Sequence, residues 1–153
     1  MEKATAFGKG HGSNLRNIFT TSLYLTFLLS IFFILFCPPA QAATTVTGTI
    51  SQNTTWTTAG SPYVLSENVT VASGVILTIQ PNVVIKPKTT SARLTVTGTL
   101  IATGAVFTSY MDDSHGGDTN GDGSITTPSP GDWGSIDFLG GGGDISDCTI
   151  LYG

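Results

Sequence analysis

From residue 44 onward the chain consists of short runs of β-branched and apolar residues, each cut off by Gly, Pro, Ser or Asn before a helix could form. No stretch there holds apolar residues at the three-and-four spacing of an amphipathic helix. Instead the runs alternate apolar residues with Thr, as in Val46-Thr47-Gly48-Thr49-Ile50 and Leu94-Thr95-Val96. A period of two is that of a strand with one buried face. The pattern predicts strands at Val46–Ile50, Asn68–Val71, Ile76–Ile79, Val83–Lys86, Leu94–Val96, Thr99–Ala102, Val106–Ser109, Ser135–Phe138 and Cys148–Tyr152. The fold class expected is all-β.

The runs also repeat. Leu77-Thr78-Ile79-Gln80-Pro81-Asn82-Val83-Val84-Ile85 can be laid over Leu94-Thr95-Val96-Thr97-Gly98-Thr99-Leu100-Ile101-Ala102, 17 residues on (77 to 94). Both copies read strand, corner, strand. A second register sets Val69-Thr70-Val71 under Leu94-Thr95-Val96, 25 residues on (69 to 94). Short repeated strands with tight corners are the mark of a β-solenoid, in which each coil lies parallel on the one before it. The alternative is an antiparallel β-sandwich, which also uses short strands and regular turns. In the solenoid, Val69, Val71, Leu77, Ile79, Val83, Ile85, Leu94, Val96, Leu100 and Val106 should point inward.

The first 42 residues read as a signal peptide. Lys3, Lys9 and Arg16 precede an apolar stretch from Ile18 to Cys37, followed by Pro38, Pro39 and the small-x-small triplet Ala40-Gln41-Ala42. Cleavage is expected after Ala42, leaving residues 43–153 as the domain. The competing reading is a retained anchor, since the apolar stretch is long enough to span a bilayer. Phe36 before Cys37 argues against a lipoprotein signal. The expected location is secreted or cell surface, with membrane contact only through the leader if it stays uncleaved.

Removal of the leader leaves three bases, Lys86, Lys88 and Arg93, against nine acids, for a net charge of −6. No basic footprint for nucleic acid remains. No His/Cys cluster offers a zinc site. Cys148 is then the only cysteine, and reads as a small buried apolar residue.

One segment breaks the strand pattern, the acidic loop 111–133. Within it, Asp118-Thr119-Asn120-Gly121-Asp122-Gly123-Ser124 matches the first seven positions of a calcium loop, D-x-N-x-D-G-x. Asp118, Asn120 and Asp122 are the metal ligands this spacing proposes for Ca²⁺, with Gly123 permitting the sharp turn. The twelfth position, where such loops carry a bidentate Glu, is Ser129, so further oxygens are needed from Asp113, Asp132 or water. The plainer reading is a solvated Asp/Asn/Gly turn. His115, in the same loop, reads as solvent-facing. Asp144 and Asp147, beside the run Gly140–Gly143, read as corner groups. Trp56 is placed in the cap, and Trp133 at the start of a strand.

The segments Ser61-Pro62-Tyr63-Val64-Leu65, Asn68 to Pro81, Val106-Phe107-Thr108-Ser109-Tyr110, Gly131-Asp132-Trp133-Gly134-Ser135-Ile136 and Cys148-Thr149-Ile150-Leu151-Tyr152 together resemble the opening coils of right-handed parallel β-helix proteins of the pectin-lyase-like class. The resemblance covers roughly residues 44–153. It implies a secreted or cell-surface β-helix module with a structural or adhesive role and polysaccharide or cell-surface ligands. The coils are incomplete at the C-terminus, so the chain reads as the amino-terminal part of a larger protein. The enzymatic alternative is the non-catalytic front end of a polysaccharide lyase or hydrolase. Lyases of this class resemble one another in pairing acidic calcium ligands with an Arg or Lys base, and residues 94–153 contain neither base. No catalytic constellation is found, and one fold hosts many functions.

Overall fold

A computed structural model describes residues 42–153. The expected leader, including its apolar stretch, lies outside the described residues. Eleven strands follow in order: β1 (Thr44–Ile50), β2 (Thr54–Trp56), β3 (Tyr63–Val71), β4 (Ile76–Ile79), β5 (Val84–Pro87), β6 (Leu94–Val96), β7 (Thr99–Thr103), β8 (Val106–Phe107), β9 (Ile136–Phe138), β10 (Gly142–Ser146) and β11 (Thr149–Ile150). One 3-10 turn, Thr58–Gly60, precedes β3. The chain is all-β, and every strand pairing is parallel. An antiparallel β-sandwich is therefore not what forms.

The strands fall into two sheets. One runs β11-β8-β5-β3-β6-β9, with β1 also on β3, and the other runs β10-β7-β4-β2. Strand β3 serves two neighbours on one side: Tyr63–Leu65 lies on β5 and Val69–Val71 lies on β6. From there each strand lies on the one three elements later, β5 on β8, β6 on β9 and β7 on β10. The 25-residue register holds, with Val69 opposite Leu94 and Val71 opposite Val96. The 17-residue overlay is not a pairing: Leu77 lies opposite Leu100, not Leu94. That overlay matched two strand-corner-strand units that cross between the sheets in opposite order, β4 to β5 and β6 to β7.

Pairing in register turns the period-two pattern into continuous apolar rows. Tyr63, Ile85 and Phe107 form one row; Val71 and Val96 belong to a second; Trp56, Ile79 and Ala102 form a third. All of these are buried in one core cluster. Nine of the ten residues expected to point inward are buried. Val106 is the exception: it is half-buried, and its neighbour Phe107 turns inward opposite Ile85. The period-two pattern was there misread by one residue, which reverses the face. The Trp56 ring stacks on Tyr63 at 4.7 Å between centroids.

Two strands escaped the sequence reading. Strand β2 is Thr-rich and three residues long, and β10 begins inside the glycine run. Asp144 is therefore not a corner group but a strand residue opposite Ile101. Glycine suits this strand because a Cβ at Gly143 would overlap the Leu100 carbonyl, and Gly98 is held in the same way under the carbonyls of Ala72 and Val75. Trp133 precedes β9 rather than starting it; its indole N–H donates to the Leu151 carbonyl at 2.8 Å. Cys148 is half-buried against the core.

The rows end in the open. Among the described residues β9, β10 and β11 each have one strand neighbour. Ile150 and Phe138, which continue the Phe107 and Val96 rows, are 52% and 41% exposed. With Trp133, Ile136, Ile145 and Tyr152 they line a groove of about 450 Å³. No helix of the described residues is long and apolar enough to cross a membrane.

Candidate metal centre

The acidic loop joins β8 to β9 and does not hang free of the sheets. Lys86 and Val84 on β5, with Val64 on β3, turn away from the apolar rows yet are buried. The loop covers Val84 and Lys86 on this side: Gly116 lies against Pro62 and Val84. The Lys86 ammonium, wholly unexposed, donates to the carbonyls of Asp112 and Gly117 and to Thr119 Oγ1, at 2.8, 2.9 and 2.7 Å. Burial pulls the pKa of this lysine below its usual value, and the nearby carboxylates of Asp112, Asp113 and Asp118 act in the opposite sense.

The first turn of the loop is organised by Asp112, which is 2% exposed. Its carboxylate accepts from Thr108 Oγ1 at 2.6 Å, His115 Nδ1 at 2.7 Å, the Ser114 N–H at 3.0 Å and the Ser114 hydroxyl. Burial opposes its charge, but the bonds from Ser114, Thr108 and His115 outweigh burial and hold the carboxyl down to about 2. His115 is thus tied to Asp112 and only partly faces solvent, contrary to the expectation from sequence.

Beyond this turn, Asp113, Asp118 and Asp122 come together, with one carboxylate oxygen from each lying within 4.8 Å of the others. Two of the three expected ligands are in this group. Asn120 lies beside them: its amide N–H₂ donates to Asp122 and to Thr126 Oγ1, and its Oδ1 accepts from the Asp122 N–H at 3.4 Å. Asp113 supplies the third carboxylate. Its Oδ2 accepts from Ser124 at 2.8 Å, while its Oδ1 is buried without a hydrogen-bond partner. Asp132 stands apart, accepting from Ser109 and from the Ser129 N–H.

The calcium-loop spacing works locally as a turn former. Asp118 accepts from the N–H groups of Gly121, Asp122 and Gly123. Asp122 accepts from the N–H groups of Ile125 and Thr126. The Thr126 hydroxyl, then the N–H groups of Thr126 and Ile125, hold the Asp122 carboxyl below its usual range, keeping it ionised. Gly121 and Gly123 take positive φ of 73° and 65°, conformations that suit glycine. Three carboxylates, one with an unpartnered buried oxygen, form a set of hard oxygens that could hold a metal ion.

Comparison with family models, curated proteins and solved structures finds no match to this chain. The class defined by fold and site is therefore an all-β protein of parallel sheets with an acidic loop packed on their outer face.

Proposed function

We propose that the chain forms the opening coils of a right-handed parallel β-helix, exported by its leader and working as a structural or adhesive module in the secreted or cell-surface space. Calcium held by Asp113, Asp118 and Asp122 stiffens the loop, which stands on the outer face where a polysaccharide or another cell-surface ligand can reach it. The observation that carries the reading is the convergence of three carboxylates on a loop clamped to the sheets. Without the bidentate twelfth ligand, affinity belongs at the weak end, on the order of 10⁻⁴–10⁻³ M, the range of extracellular modules.

The test is export followed by binding. The full-length chain is expressed in a bacterial host, the exported form is sequenced from its N-terminus, and its retention on insoluble polysaccharides and cell walls is measured with calcium and with chelator. A new terminus at Ala43 and calcium-dependent retention are expected. A chain still carrying Leu35 and Phe36 in the membrane fraction, or retention indifferent to calcium, would overturn the reading.

A further inference from the structure

Lys86 is fully buried at the end of an otherwise apolar strand, whereas Lys88, two residues on, is exposed. All three ammonium protons are used, and every acceptor belongs to the acidic loop. The acceptors interleave with the proposed ligands along the chain: Asp112 O precedes Asp113, Gly117 O precedes Asp118, and Thr119 Oγ1 follows it. Each of these two carboxylates is therefore flanked by a backbone or side-chain oxygen pinned to one point on β5.

We propose that Lys86 is a positioning residue for the cation site, a built-in cation around which residues 112–119 fold and which sets the separation of Asp113 from Asp118 before a metal arrives. The inference rests on the cation reading above. Two effects of Lys86 oppose each other. As a like charge it repels an incoming divalent ion; as a clamp it removes the entropy that three carboxylates on a free loop would lose on converging. The clamp is taken to dominate because all three acceptors fall within residues 112–119, next to Asp113 and on both sides of Asp118. Replacing it with an isosteric neutral side chain should therefore weaken calcium binding, although repulsion is relieved.

The experiment compares the full-length protein with Lys86→Met and with the milder Thr119→Val, which removes one acceptor at a half-buried position. Amide exchange is followed without calcium, at Gly121, Asp122 and Gly123 in the loop and at Leu94 and Thr97 as fold controls; calcium affinity is measured by titration. In Lys86→Met, loop amides should exchange at least tenfold faster with the controls unchanged, and calcium affinity should fall about tenfold or more. Thr119→Val should move both readouts in the same direction by less. Unchanged loop exchange in Lys86→Met would overturn the inference, and so would a loosened loop with equal or tighter calcium binding. If Lys86→Met loses its strand protection, Thr119→Val decides by the same two readouts. Wild-type protein that takes up no calcium overturns the cation reading and with it the metal-positioning role, while its loop exchange still reports separately whether Lys86 holds the loop.

Discussion

The parallel strands and the acidic loop are ordered by different forces. In the strands, order comes from apolar rows such as Tyr63–Ile85–Phe107, where each side chain is covered by the one above and the one below. In the loop, order comes from a few polar centres, Lys86, Asp112, Asp118 and Asp122, each holding several hydrogen bonds within its own neighbourhood. A row tolerates small exchanges of volume but not loss of a layer. A polar centre tolerates nothing that leaves its partners buried and unpaired. The two regions should therefore fail under different perturbations.

The largest effect is expected in the strands. Leu77 is fully buried opposite Leu100. Leu77→Ala should destabilise by about 2–5 kcal/mol in chemical denaturation, independently of calcium. A cost below about 1 kcal/mol would place this side chain outside the core and break the register.

Next comes the pH dependence of the loop. Asp112 has a folded pKa of about 2 against an ordinary 3.8. The depressed value means that its contribution is complete above the unfolded pKa and is lost as pH falls from about 4 through about 2. Its size is about 2 kcal/mol. Asp112→Asn should lower stability by a similar amount near neutral pH and flatten the acid limb. An unchanged acid limb would show that Asp112 does not couple to folding.

The smallest effect should come from the open end. Ile150 is half-exposed in β11. Ile150→Thr keeps a β-branched residue there and should change stability by no more than about 0.5 kcal/mol. A cost comparable to that of Leu77→Ala would show that this row is covered in solution.

The strands were largely legible because period two and repetition are properties of the sequence itself. Leu77, Leu94 and Leu100 identify themselves as inward by alternation with Thr. The pairing partners were less legible, since corners such as Gln80-Pro81-Asn82 and Thr97-Gly98 do not reveal in which direction the chain crosses between the two sheets. Strand β10 was hidden because one of its two inward positions is Gly143, which carries no hydrophobic signal and leaves Ile145 without an alternating partner. In the loop, the spacing of Asp118 and Asp122 was enough to bring both to the site. Asp113 could be named only as one of several further oxygens, because its place depends on Lys86, 27 residues earlier (86 to 113). The one signal for Lys86 was a charge closing the apolar run Val83-Val84-Ile85, beside an acidic insertion that needed a cation.

Whether the loop is a cation site held by the sheets is tested most directly by a calcium titration of thermal stability in physiological salt. Wild-type protein is compared with the Asp118→Asn/Asp122→Asn double variant, with magnesium as the control ion. Because metal binds the folded loop and not the unfolded chain, wild-type melting temperature should rise with calcium on the millimolar scale, more than with magnesium, and the double variant should not respond. The same negligible shift in both proteins would contradict the account and leave the loop as a hydrogen-bonded turn.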